Sequence, residues 1–145
     1  MPFTTSGCEI WSKDGLNGRS LTEVRYWTNV HGFLELIILP IGSWSDGGSM
    51  PEEVWGIPGF APFGDGWMGY RLHDGGYRGD AETEKDGIRV KLAWDRETWD
   101  KILLEALENL GIDKIHRETI YICVRKCGQP AWDKDHSARS PESTI

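Results

Sequence analysis

The chain has 145 residues, a length typical of one domain, and it can bury a hydrophobic core without disulfides or metal ions as reinforcement. It carries 23 acidic and 16 basic residues, for a net charge of −7, and has no run rich in Lys or Arg. Nucleic-acid binding and docking on anionic membranes both depend on basic surfaces, so we expect neither a nucleic-acid partner nor a charged membrane as a partner.

The start of the chain and its cysteines bear on location. Residues 1–7 lack the basic and apolar regions of a secretory signal, and the longest apolar run, residues 37–41, is too short to span a bilayer. Cys8, Cys123 and Cys127 have neither the number nor the spacing of a disulfide framework or a metal site. We therefore expect a cytoplasmic protein with no transmembrane segment.

The first third of the chain is typical of β-strands. Residues 9–12 form a candidate strand, followed by a turn at residues 13–18. Residues 23–28 are rich in aromatic and β-branched types, and residues 29–32 are turn formers. Residues 33–38 are almost entirely apolar, which predicts a hairpin whose second strand is buried on both faces.

A long loop rich in glycine follows the hairpin. Residues 42–66 are dominated by Gly, Ser, Pro and Asp, and loops of this length in compact domains are often functional. The segment Asp46-Gly47-Gly48-Ser49 offers a carboxylate and backbone carbonyls as oxygen ligands. Its Asp side chain is equally suited to cap the backbone of a turn.

Three helices are predicted in the second half. The first covers residues 67–77, although Gly residues near its end weaken it. Residues 79–90 are charged and predict an exposed loop. The second helix begins at the N-cap Asp95 and ends before Gly111, and the third runs from about His116 to Cys127.

This order of elements predicts an α+β fold. We expect an antiparallel hairpin or small sheet packed by about three helices, with the long glycine-rich loop between them. Residues 1–132 form the predicted single domain, and residues 133–145 are expected to be a disordered tail.

The predicted first and second helices carry the residues of chemical interest. His73 and Asp74 are adjacent on a helix and point about 100° apart, so each must serve a different neighbour. Asp100 is the expected partner of His73, which it would hold in one tautomer as a general base. Tyr77, one turn after His73, is expected to bond Asp100, and Arg96 is spaced to pair with the same carboxylate.

Asp74 is then a candidate cation ligand. Together with Asp46 and carbonyls of the loop that includes Gly47, Gly48 and Ser49, it would supply oxygen ligation suited to Ca²⁺. The alternative is a buried polar network that ties the loop to the helices. The order of His31, His73-Asp74 and Asp100 also follows HD-type metal phosphohydrolases, but those enzymes are helical and His31 falls in a predicted turn.

Several segments between about residues 20 and 132 resemble, in order, a small uncharacterised family common in bacteriophages and prophages, whose pattern is D-G-x-S-I-P, H-D-x-L-Y-R and R-x-x-A-D. The segments are Asp46-Gly47-Gly48-Ser49-Met50-Pro51, Leu72-His73-Asp74-Gly75-Gly76-Tyr77-Arg78, Arg96-Glu97-Thr98-Trp99-Asp100 and a closing helix that ends at Gly128. The chain has Met50 for Ile, Gly76 for a bulky apolar residue and Trp99 for Ala. The resemblance implies a phage protein of the host-cell cytoplasm more firmly than it implies an activity.

The His-Asp-x-x-Tyr motif followed by an Asp on a later helix is similar to the catalytic helices of phospholipase A2, including its viral forms without disulfides. This resemblance implies that His73 is the base, Asp74 the calcium ligand, Tyr77 the supporting tyrosine and Asp100 the carboxylate behind the base. That family's G-x-G calcium loop is not found as such, and only Gly47-Gly48 would replace it.

Two functions therefore stay open. The first is a calcium-dependent ester hydrolase that uses the His73–Asp100 pair. The second is a non-catalytic phage protein that binds a host or virion protein, as an inhibitor of host defence or an assembly component, with a structural His-Asp network. The eight Trp residues suit the second function, because Trp is enriched at binding hot spots.

Overall fold

A computed structural model describes residues 2–3, 9–11, 18–20, 23–42, 44–45 and 66–135. The elements in chain order are β1 (Glu9–Trp11), β2 (Gly18–Ser20), β3 (Val24–Thr28), β4 (Glu35–Leu39), β5 (Trp44–Ser45), α1 (Trp67–Arg78), β6 (Glu82–Lys85), β7 (Ile88–Lys91), α2 (Arg96–Asn109), α3 (Lys114–Cys127) and α4 (129–135). Helices pack on an antiparallel sheet, so the predicted α+β fold is confirmed.

The main sheet has four antiparallel strands in the order β3-β4-β6-β7, and a second sheet has the order β1-β2-β5. The predicted hairpin is formed by β3 and β4, with Val24 opposite Leu39 and Tyr26 opposite Ile37. These side chains face the helices, whereas Ile38 points to the other face and is also fully buried. The end of β4 is therefore buried on both faces, as its sequence indicated. The predicted strand began too early, because Phe33 and Leu34 precede β4 and are exposed.

The expectation of an exposed loop at residues 79–90 was wrong. β6 and β7 form a hairpin around the two-residue turn Asp86-Gly87, whose φ angles are +53° and +79°. Both angles are positive, as a type I′ turn requires, and an Asp-Gly pair is a strong signal for this turn. The many charged residues on the exposed strands concealed the alternation on either side of it.

The predicted boundaries of α2 hold at both ends, where local chemistry marks them. The Asp95 side chain accepts a hydrogen bond from the Thr98 amide at 2.9 Å and begins α2, and Gly111 follows that helix with φ +84°. α3 begins two residues earlier than predicted, because Asp113 caps it through the His116 amide.

The end of the chain adds a short helix. α4 covers residues 129–135 and thus includes the first three residues of the segment predicted to be a disordered tail. Residues 136–145 lie outside the described part of the chain, as do residues 46–65 with the loop segment Asp46-Gly47-Gly48-Ser49.

The α2 helix occupies the middle of the fold and contributes to two apolar clusters. The cluster against the sheet contains Val24, Tyr26, Ile37, Leu39, Leu72, Tyr77, Ala81, Trp99, Ile102 and Ala106. The cluster among the helices contains Tyr70, Leu103, Leu107, Ile112, Ile120 and Val124. Because α2 supplies residues to both, its orientation sets where α1 and α3 can lie.

Two adjacent glycines allow α1 to approach its neighbours closely. A Cβ atom added at Gly76 would lie 2.0 Å from Cδ2 of Trp99, and one added at Gly75 would lie 2.3 Å from Cδ2 of Leu39. The Trp99 ring thus occupies the space of a side chain at position 76. Gly76 and Trp99 thus divide one volume between touching positions, with the small residue on α1 and the large one on α2.

We predict that Gly76→Ala destabilises the protein by about 1–3 kcal/mol, because overpacking against the Trp99 ring outweighs the gain in helix propensity. Urea unfolding measures the free energy of unfolding. Gly69→Ala in the same helix is the control, since its added Cβ would meet the end of the Leu107 side chain at 3.3 Å, and we expect it to be neutral or stabilising.

The double variant Gly76→Leu with Trp99→Ala should recover part of the lost stability, because it reverses this division of volume. A Gly76→Ala variant as stable as the wild type would contradict this account of the contact between α1 and α2.

Candidate functional site

His73, Tyr77 and Asp100 meet at the buried contact between α1 and α2. His73 and Tyr77 are one turn apart on α1, and their ring centroids are 4.2 Å apart. The His73 Nε2 atom lies 2.7 Å from Oδ1 of Asp100, and the Tyr77 hydroxyl donates to the same oxygen at 2.6 Å. Both predicted contacts are confirmed, and all three side chains are buried.

Two arginines bind the other oxygen of Asp100. Arg125 Nη1 donates to Oδ2 at 2.7 Å, and Arg96 Nη1 lies 3.4 Å from it. The Arg96 contact was predicted from the spacing of four residues on α2. The Arg125 contact was missed, because it depends on how α3 packs. The one sequence feature that could have indicated it is that Arg125 follows Val124, a buried residue of the apolar stripe of α3.

The cluster is closed by the end of α3. Arg96 donates to the backbone carbonyls of Val124 at 3.0 Å and Arg125 at 3.1 Å, where the helix dipole favours a positive charge. The backbone of Gly128 packs directly against this cluster. A Cβ atom added at Gly128 would lie 2.8 Å from the Tyr77 hydroxyl oxygen and 2.9 Å from Arg96 Nη1. Asp100 is thereby enclosed by groups from three helices.

These contacts set the ionisation of the cluster. Burial opposes ionisation of Asp100, but the hydrogen bond and charge of His73 and the hydrogen bonds from Tyr77 and Arg125 outweigh it, and the pKa of Asp100 is lowered. Burial and the hydrogen bond to Asp100 raise the pKa of Tyr77, which therefore remains a donor. An ionised carboxylate only accepts, so Nε2 of His73 is the donor in its hydrogen bond to Asp100.

Asp74 is buried next to His73 but faces a different neighbourhood, as predicted. Burial raises the pKa of Tyr70, one turn earlier on α1, and the charges of Cys123 and Asp74 add to the effect. Asp74 lies one turn after Tyr70 on α1 and about 100° around the helix from His73.

The described residues do not by themselves form a calcium site. Among them, no group of three or more His, Cys, Asp or Glu side chains is arranged to hold a metal ion. Asp46 and the loop residues Gly47, Gly48 and Ser49 lie outside the described ranges. The calcium site therefore stays a prediction to which the described part of the chain contributes Asp74.

The remaining candidates lie apart from this cluster. His31 is in the β3–β4 turn, where its Nδ1 lies 2.6 Å from Glu35 Oε1 and its ring packs edge-on against Trp94. Its position gives no support to the HD-type arrangement. Cys123 and Cys127 are free thiols on α3.

The chain matches no family model, no curated protein and no solved structure. Of the helices in the described ranges, none has the length and apolar character needed to cross a bilayer.

We predict that Asp100→Asn lowers the free energy of unfolding at neutral pH by about 3–5 kcal/mol, because it leaves two guanidinium groups without their buried counter-charge. The pKa of Asp100 in the folded protein is below its ordinary value of 3.8. The stabilisation from its charge is therefore present above pH 4 and is lost as the pH falls through the lower folded pKa. Urea unfolding between pH 2 and pH 7 should show the difference between wild type and variant narrowing in acid.

Asp86→Asn, in an exposed turn where Asn is also tolerated at positive φ, is the matched control and should track the wild type. A difference for Asp100→Asn that stays constant down to pH 2 would show that the carboxylate charge does not stabilise the fold.

Proposed function

We propose that this protein is an ester hydrolase in which His73 is the general base, Asp100 its partner and Tyr77 a supporting donor. The observation that carries the proposal is the 2.7 Å contact from His73 Nε2 to a buried, ionised carboxylate. With Nε2 donating to Asp100, a neutral His73 would carry its basic lone pair on Nδ1. The phage origin implied by the sequence motifs is part of the same proposal.

The proposed reaction uses His73 in two proton transfers. Nδ1 takes a proton from water while the water oxygen attacks the ester carbonyl carbon, and the resulting imidazolium is stabilised by the Asp100 charge. When the carbon–oxygen bond of the ester breaks, the imidazolium returns the proton to the leaving alkoxide. The products are a carboxylic acid and an alcohol, and His73 is neutral again.

The other residues of the cluster keep the base in place. Tyr77 and Nε2 of His73 share Oδ1 of Asp100, while Arg125 and Arg96 hold Oδ2. The carboxylate therefore cannot rotate without breaking several hydrogen bonds at once. A fixed carboxylate fixes the imidazole ring, as a general base needs.

The first test is hydrolysis of p-nitrophenyl butyrate and of a short-chain phosphatidylcholine by the wild-type protein. His73→Gln should lower kcat/KM by about 10²–10⁴-fold, because its amide can still donate to Asp100 but offers no basic nitrogen. The melting temperature of this variant should stay near that of the wild type. Tyr77→Phe should cause a smaller loss of activity.

His116→Gln is the control, since His116 lies near the start of α3 and contacts Asp113. Wild-type hydrolysis that survives in His73→Gln would show that His73 is not the base, and a wild type inactive on every ester would remove the basis of the proposal.

The calcium prediction has its own test. We expect the melting temperature of chelator-treated protein to rise with Ca²⁺ but not with Mg²⁺, Mn²⁺ or Zn²⁺, because a ligand at 100 times its Kd stabilises the fold by about 2.7 kcal/mol. Asp74→Asn should abolish the rise, whereas Asp86→Asn should retain it. An equal response of wild type and Asp74→Asn would exclude Asp74 as a calcium ligand.

A second candidate function is a non-catalytic phage protein that binds a host or virion protein. Its support is that Asp100 is fully buried and bound by four side chains from three helices, an arrangement that also suits a network that only fastens helices together. In that case no ester is hydrolysed, and His73→Ala lowers the free energy of unfolding without any other effect.

A further inference from the structure

The β7 strand lies at an end of the main sheet and is exposed along its whole length. Among the strands that the structure describes, β6 is its single partner. Every residue of β7 is exposed, including two apolar ones, Ile88 at 66 % and Val90 at 42 %. An edge strand that presents apolar side chains can be extended by a further strand.

The hydrogen-bond pattern shows which backbone groups of β7 point outward. Leu92 donates to the carbonyl of Ala81 at 3.0 Å, which continues the β6–β7 ladder. Because bonded and non-bonded pairs alternate in an antiparallel ladder, Val90 and Ile88 direct their backbone groups toward β6. The N–H and C=O groups of Arg89 and Lys91 therefore point away from the sheet.

The existing partner indicates the side chains that suit this edge. In the register of the hairpin, Glu82 lies opposite Lys91 and Glu84 opposite Arg89. Lys91 Nζ lies 3.8 Å from Glu82, and Arg89 Nε lies 3.8 Å from Glu84. The Arg89 guanidinium also binds Glu23 and lies 3.6 Å from Glu82. One face of β7 is thus basic at alternate positions, and the other face is apolar.

A second copy of this chain does not suit the same edge. Directly opposite residues of an antiparallel pair point to the same face, so two β7 strands related by a two-fold axis would place Arg89 opposite Arg89 or opposite Lys91. Like charges directly opposite each other destabilise a sheet. A strand with carboxylates at alternate positions avoids this repulsion and repeats the pairing that β6 already makes.

We propose that the outer edge of β7, which none of the described strands covers, binds an extended acidic segment of a partner protein, which adds to the sheet as an antiparallel strand. Its carboxylates lie opposite Arg89 and Lys91, with the main ion pair made to Lys91, whose side chain is 62 % exposed. Its apolar residues cover Ile88 and Val90. The outward N–H and C=O groups of Arg89 and Lys91 supply the backbone hydrogen bonds, as in other cases of strand addition. This surface is separate from the His73 cluster, so the proposal does not depend on the hydrolase function.

The probe is a capped peptide Thr-Glu-Val-Glu-Val-Thr, titrated into the full-length protein and followed by amide chemical shifts. We expect shifts concentrated on β7 and slower hydrogen exchange at the amides of Arg89 and Lys91. The peptide Thr-Lys-Val-Lys-Val-Thr should not bind. Affinity for the acidic peptide should fall as salt is added.

Three substitutions separate edge pairing from general electrostatic attraction. Lys91→Glu should weaken binding at least tenfold, whereas Lys126→Glu, the same charge change at an exposed position of α3, should leave it unchanged. Lys91→Pro should also block binding, because it removes an outward donor without removing a bond to β6.

Three results would each overturn the proposal. They are equal binding of the two peptides, equal binding of the acidic peptide by Lys91→Glu and wild type, and chemical shifts that leave the amides of Arg89 and Lys91 unchanged. So would a wild-type dimer that Lys91→Glu converts to monomer, since it would identify a second copy as the occupant.

Discussion

The architecture of the helical half depends on one buried carboxylate. Asp100 has no exposure to solvent, and a charge in that position must be paired and hydrogen-bonded to be tolerated. His73 and Tyr77 come from α1, Arg96 from α2 and Arg125 from α3. Satisfying this single group therefore determines where the three helices lie relative to one another, and the apolar clusters fill the space that remains.

Short contacts between side chains of different helices require close backbones. Gly76 removes the side chain that would separate α1 from α2, and Trp99 fills the space thus opened. The residue after Trp99 is Asp100, so the packing of the large ring and the position of the carboxylate are coupled through adjacent backbone. A change in volume at this contact would alter the distances in the polar cluster as well as the density of the core.

The sequence predicted best what is determined locally. The helix start at Asp95 depends on a side chain and amide three residues apart, and the pairing of Arg96 with Asp100 depends on helical periodicity. The contact of His73 with Asp100 could be predicted because both residues lie on helices with recognisable buried faces. Arg125 was not predicted, because its contact with Asp100 depends on how α3 packs against α2. The hairpin of β6 and β7 was missed because β6 has no apolar residue and the alternation of polarity in β7 covers only four residues. The roles of Asp46 and its loop fall outside the described residues.

The two arginines link α3 to the rest of the protein in both directions. Arg96 on α2 holds the last carbonyls of α3, while Arg125 on α3 extends its side chain back to Asp100 on α2. The last turn of α3 therefore cannot fray by itself, because its release would leave Arg96 without its carbonyl acceptors and Asp100 without its shortest guanidinium contact. Helix ends ordinarily open with little free energy, but this one belongs to the same cooperative unit as the core of α1 and α2.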